Sequence, residues 1–228
     1  QEDAINWTPQ AINQAGSLRL SNGSKITTAL QARQEMLVWT DAALYGMQYL
    51  GAPEVWGANL LGSNLTIASQ NAAIIASDIA YWMGKDKFYI YDGVVKTLPC
   101  SIRSYIFDDF NLQQTDQVIC GTNERFNEVW WFYCSSGSTT ADRYAIYNYG
   151  EDAWAYGNMA RTAWLDADLR DFPLAATYSN NLVKHEVGYD NKETASVYPI
   201  TATLVSAEFD LDDGDRAMFI SRVLPDVT

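Results

Sequence analysis

Three pairs of carboxylates stand close enough in sequence to suggest acid–base chemistry: Asp108 with Asp109, Glu151 with Asp152, and Asp166 with Asp168. A glycosidase needs only two such groups, one protonating the leaving oxygen and one acting as base or nucleophile, and sequence does not give their separation in space. Each pair also has an ordinary reading that outweighs the catalytic one. The first decorates a helix, the second makes a turn, and the third lies in a polar connection. His185 is the chain's one histidine. It falls in a strand over residues 182–187, where a half-exposed sheet position is expected rather than a general base, because no nucleophile or orienting carboxylate is identified with it.

The remaining chemical signatures are weak. The chain has no Gly-rich phosphate loop of the Walker type and no Gly-x-Ser-x-Gly elbow. Asp210-Leu-Asp-Asp-Gly-Asp215 invites a calcium reading, but Gly214 is fifth rather than sixth from Asp210, and no bidentate Glu follows at the required distance. A tight Asp-Gly hairpin turn accounts for the same residues. Cys100, Cys120 and Cys134 are odd in number, with spacings of 20 and 14 and no CxxC, which suggests neither a zinc site nor a disulfide framework. Reduced, buried thiols in a protein assembled inside a cell are the simplest account. The sequence thus nominates no catalytic, cofactor-binding or metal-binding residue, and a non-enzymatic role without a cofactor is expected.

The elements that carry these residues read as strands. Asn127-Glu-Val-Trp-Trp-Phe-Tyr-Cys134 and Asp142-Arg-Tyr-Ala-Ile-Tyr-Asn-Tyr149 are aromatic and β-branched runs joined by a Ser/Gly/Thr loop, and a turn at residues 150–152 opens a third strand. Residues 36–40 and 43–49 form a hairpin about Asp41-Ala42. Residues 79–83, 87–91 and 94–97 form a longer meander, and residues 174–178 with 182–187 make a weaker unit. Aligned on Trp39, Trp82, Trp131 and Tyr178, the units recur at intervals of 43, 49 and 47 residues. Roughly 40 to 50 residues is usual for a four-stranded propeller blade.

The expected fold is therefore all-β: a β-propeller-like array of four-stranded blades with repeats of about 45 residues. The blades occupy residues 1–197, and a hairpin over 198–228 closes the array or leads to another domain. Because the chain starts at Gln1, it reads as a piece of a longer polypeptide and the array as incomplete. Ile102, Tyr105, Ile106 and Phe110 fall at helical spacing behind Ser101, which can cap a first turn, so one short inter-blade helix is expected there. Composition agrees: eight Trp and fourteen Tyr suit strands packed face to face with a polar handle at the rim. No apolar run approaches the ~18 residues of a membrane span.

The run Tyr91-Asp-Gly-Val-Val-Lys-Thr-Leu-Pro-Cys-Ser-Ile-Arg-Ser-Tyr-Ile-Phe-Asp-Asp-Phe-Asn111, with Arg125-Phe-Asn-Glu-Val-Trp-Trp-Phe-Tyr133 and Asp142-Arg-Tyr-Ala-Ile-Tyr-Asn-Tyr149, resembles tail proteins of short-tailed bacteriophages (podoviruses) and related prophages. Asn6-Trp-Thr-Pro9, Gly16-Ser-Leu-Arg-Leu20 and Val38-Trp-Thr-Asp-Ala-Ala-Leu-Tyr45 are similar to the same group, so the likeness runs over most of the chain. These are tail hub or nozzle components, sometimes called DNA-stabilisation proteins. The resemblance implies a virion tail subunit assembled in the bacterial host cytoplasm. It implies a ring, usually of six copies, below the portal and its head-to-tail adaptor, with double-stranded DNA passing along the lumen during genome ejection. It carries over no active site.

Fifteen Lys and Arg against twenty-eight Asp and Glu give a net charge of −13, which argues against gripping nucleic acid through its phosphates. A conduit should not grip: an acidic wall repels the duplex and lets it slide, although an acidic surface also simply keeps a protein soluble. Two functions follow. One is the structural tail ring, and the other is a carbohydrate-binding or glycan-cleaving propeller, since one architecture hosts unrelated activities. Trp56, Phe107, Phe110 and Trp164 are the candidate interface anchors, because they are placed in connections outside the core strands; packing under their own loops is the competing reading.

Overall fold

The computed structural model describes residues 15–51, 54–167, 170–193 and 196–200, together with 5, 7–10 and 13. The chain divides into two compact units, Gln1–Gly188 and Tyr189–Thr228. In the second, the described residues form one small antiparallel ladder, β16 (Asp190–Asn191) with β17 (Tyr198–Pro199). The expected hairpin strands beyond residue 200 lie outside the described residues.

The first unit is almost entirely β. Its first sheet comprises β1 (Ile26–Gln31), β2 (Met36–Thr40), β3 (Ala43–Tyr49) and β4 (Trp56–Ser63). The second comprises β5 (Ala73–Ala76), β6 (Ile79–Met83), β7 (Phe88–Tyr91) and β8 (Val95–Leu98). A helix, α1 (Arg103–Asp108), and a 3-10 turn over Leu112–Gln117 lead to the third, β9 (Ile119–Asn123), β10 (Glu128–Tyr133), β11 (Arg143–Asn148) and β12 (Ala153–Asn158). The fourth has three strands, β13 (Ala163–Leu165), β14 (Leu174–Ala176) and β15 (Leu182–Lys184). Every sheet is an antiparallel meander in sequence order. The turns follow from local chemistry: Ser77 and Asp78, both at positive φ, make the two-residue turn of the β5–β6 hairpin, whose twist matches that of its strands.

Side-chain alternation decides how the sheets stack. Trp82 and Tyr89, paired across β6 and β7 with rings 5.1 Å apart, face the first sheet, where Trp39 meets Trp82 edge-on at 5.5 Å. Their neighbours Tyr81 and Phe88 face the third sheet. Phe88 there packs 4.8 Å from Trp131 and 4.7 Å from Trp154, and Tyr81 lies 5.9 Å from Tyr147. On the far side of β10, Trp130 stacks on Trp164 of the fourth sheet at 5.2 Å, with Phe132 5.6 Å from the same indole. Gly121 permits this stack, since a Cβ there would run into the Trp164 ring. At the first junction Tyr91 donates its hydroxyl hydrogen to Glu35, whose carboxylate lies across Gly46 where a Cβ would collide with it.

The first strands also touch in order: β1 lies beside β5, β5 beside β9, and β9 beside β13. A parallel bridge joins Asn71 to Ile119, with Cys120 N donating to Asn71 O at 2.8 Å, and Trp131 Nε1 reaches Ala72 O at 3.1 Å.

Two expectations need correction. The helix begins at Arg103 with Ile102 at its N-cap and no side-chain cap, so Ser101 does not cap it; Ile106 on its buried face holds it to the core. Trp39, Trp82 and Trp131 do fall on the second strand of successive sheets, but Trp39 looks forward to the second sheet whereas Trp82 and Trp131 look back. A one-residue offset in a strand reverses the face, so Val38, not Trp39, faces as Trp82 and Trp131 do.

Trp131 is fully buried and joins two sheets. Trp131→Ala is expected to lower unfolding free energy by about 3–5 kcal/mol, read from chemical denaturation. Gly121→Ala should cost roughly 1–3 kcal/mol by displacing Trp164, with the red-edge tryptophan emission changing alongside. Wild-type stability in either variant would contradict this packing.

Candidate functional site

The paired carboxylates are occupied with local structure. Asp109, just past α1, accepts from Ser136 N and Oγ at 3.3 and 3.1 Å and lies 3.4 Å from Arg143 Nε, while Asp108 is exposed. Asp152 sits at positive φ in the β11–β12 turn and accepts from the Tyr147 hydroxyl at 2.9 Å, with Glu151 exposed beside it. Asp166 accepts from Thr122 Oγ1 at 2.6 Å and from Glu124 N at 3.2 Å. Its sequence partner Asp168 lies outside the described residues, as does the acidic run at residues 210–215. Among the described residues no group of three or more His, Cys, Asp or Glu is placed to hold a metal ion.

Asp166 belongs to an open polar cleft of about 640 Å³, lined by Thr122, Glu124, Arg125, Asp166, Ala167, Arg170 and Asp171. The cleft lies where the 3-10 turn after β9 meets the connection after β13. Its two guanidinium groups are held by backbone carbonyls, Arg125 Nη1 on Asp171 O at 3.3 Å and Arg170 Nη2 on Asp166 O at 3.1 Å. Arg125 and the Asp166 carboxylate tie the fourth sheet's connection to the third sheet, while Arg170 braces that connection internally.

His185 lies just beyond β15, where its backbone N donates to Pro173 O at 2.9 Å. Its ring packs 4.6 Å from Trp164, and its Nε2 accepts from Arg161 Nε at 3.0 Å. Burial, and then the adjacent Arg161 charge, push its pKa down to about 4. The imidazole is thus neutral, with its lone pair engaged, and serves as a wedge between β15 and Trp164. Sequence reasoning did not find Arg161, a buried arginine that donates to this ring. Nor did it find Glu128, half-buried on β10, which accepts from Trp130 Nε1 at 2.9 Å and whose pKa is raised chiefly by burial.

The anchor residues separate by exposure. Phe110 is buried against Tyr133 at 5.9 Å, and half-buried Phe107 lies on Phe88 at 5.2 Å. Trp164 is on β13, not in a connection, and is sandwiched between Trp130 and His185, with its Nε1 donating to Thr122 O at 2.8 Å. Trp56 also lies on a strand, β4, but is 48% exposed, edge-on to Tyr49 at 5.7 Å. The cysteines are free thiols, and burial pushes Cys100 and Cys134 up to about 11. No helix among the described residues is long and apolar enough to cross a membrane.

Among the described residues the fold is nearly all β, with three four-stranded and one three-stranded antiparallel meander stacked by aromatic packing and a separate two-stranded ladder. The chain matches no protein-family model and no curated protein.

Keeping His185 neutral costs stability in acid. Its folded pKa is below the unfolded value of 6.5, so from pH 6.5 toward 4 the unfolded state binds a proton that the folded state refuses. Thermal midpoints should fall as pH drops from 6.5 to 5, and His185→Gln, which keeps an acceptor for Arg161, should flatten that decline. An unchanged profile in the variant would count against the buried neutral wedge.

Proposed function

We propose that the stacked sheets are blades of an open β-propeller and that the chain is a structural subunit of a short-tailed phage tail nozzle or hub. In this reading the protein extends the DNA channel below the portal and adaptor. It assembles as a ring of six copies in the host cytoplasm and retains or conducts double-stranded DNA without specific binding.

One observation carries the reading. Apolar residues of the three longer runs that bear the tail-protein resemblance build the junction between the second and third sheets. Ile106, Phe107 and Phe110 of the first run pack with Trp131 and Tyr133 of the second, and Tyr147 of the third joins the same core. In this reading the resemblance is a likeness in how blades are joined. The side-by-side first strands add support for a radial array, because strands that begin successive blades crowd together at a propeller's centre. The net charge of −13 suits a wall along which DNA slides.

Native mass spectrometry and negative-stain class averages of the protein, alone and mixed with the adaptor ring, test the proposal. A ring of six copies formed on the adaptor is the expected result. Failure to engage the adaptor, together with glycan binding that Trp56→Ala abolishes, would replace the tail reading with the carbohydrate one.

A further inference from the structure

We propose that the outer face of the first sheet docks against the outer face of the fourth sheet of a second copy of this chain. The inference rests on the blade reading of the sheets and is independent of the tail reading.

Each junction within the stack is built alike: the forward face of one sheet meets the backward face of the next. Trp39 meets Trp82, Phe88 meets Trp131, and Trp130 meets Trp164. Two faces have no such partner among the described residues. On the backward face of the first sheet, Leu20 covers Val38 and Tyr45 near one end, but Met36, Tyr49, Trp56 and Leu60 share that face and are 40–66% exposed. On the forward face of the fourth sheet, opposite Trp164 and Ala175, the register places Leu165, Leu174 and Leu182 together, with Leu165 54% and Leu182 71% exposed.

These end faces are the two halves of one more junction of the type that already runs through the chain. Among the described residues both halves are open, and a second copy brings to each the face that its own junctions already fit. The contact is heterologous, and each copy offers one half at each end. Two copies close it, giving eight blades, at the upper end of the roughly four to eight typical of propellers. Six copies in a tail ring then enter as three closed pairs.

The chain alone, without adaptor, is the material for the test. Sedimentation or light scattering at micromolar concentration should give twice the chain mass of 25.5 kDa. Trp56→Glu on one face and Leu182→Glu on the other should each give monomer, with unchanged circular dichroism because both residues are exposed. An equal mixture of the two variants should recover dimer, since one intact contact remains between unlike partners. A wild-type monomer overturns the proposal, as does dimer loss in the Trp56 variant alone, which would mean a first-sheet face pairing with itself. A monomer that still binds the adaptor defeats this inference and spares the tail reading; a dimer that ignores the adaptor does the reverse.

Discussion

A sheet in the middle of a stack has no solvent face, and this constraint shapes the whole unit. Ala80, Tyr81, Trp82 and Met83 of β6 are all buried, as are Phe88 and Tyr89 of β7. Alternation cannot separate apolar from polar residues on such strands, so they read as continuous apolar runs. The two sets of rings then do different work, one reaching Trp39 and the other reaching Trp131 and Trp154. Aromatic pairs in offset or edge-on geometry add about 0.5–1.5 kcal/mol each beyond the area they bury. With that many rings at each junction, the sheets hold together although the described residues put only a short backbone bridge between the second and third.

The same constraint explains which parts of the fold were legible. The runs at 36–40, 43–49 and 79–83 matched β2, β3 and β6 because bulky residues and clear turns bound them. The strands that open each sheet were missed. β5 is Ala-Ile-Ile-Ala and β9 is Ile-Cys-Gly-Thr-Asn, short runs without the aromatic residues, and without the hairpin turns on both sides, that mark β6 and β10. Their spacing is set by neighbours some 45 residues away, which no local pattern contains. Aligning tryptophans recovered the repeat yet mixed two faces, because period-two alternation makes Val38 and Trp39 adjacent in sequence and opposite in space.

Site residues were legible only as residue types. Asp109, Asp152 and Asp166 stood out as carboxylates, but their roles depend on Ser136, Tyr147 and Thr122, donors as much as 44 positions away. Tyr178 falls at the blade interval but is partly exposed, and its hydroxyl accepts from Ala141 N and donates to Gln117 Oε1, so it ties the fourth sheet to the loops of the third. Trp56 and Trp164 looked equivalent as connection residues and proved opposites, one open and one enclosed. What distinguishes them is Gly121, an absence of side chain that sequence alone does not connect with an indole 43 residues later.

The enclosed indole has an optical consequence. Trp130 and Trp164 lie nearly parallel, 19° apart in plane and 5.2 Å between centroids, close enough for their excited states to couple. Trp164 also touches the neutral imidazole of His185, which has little of the quenching power of a charged one. The joint between the third and fourth sheets therefore carries a built-in chromophore pair. Their coupling is lost when the two sheets part, even while each keeps its own strands.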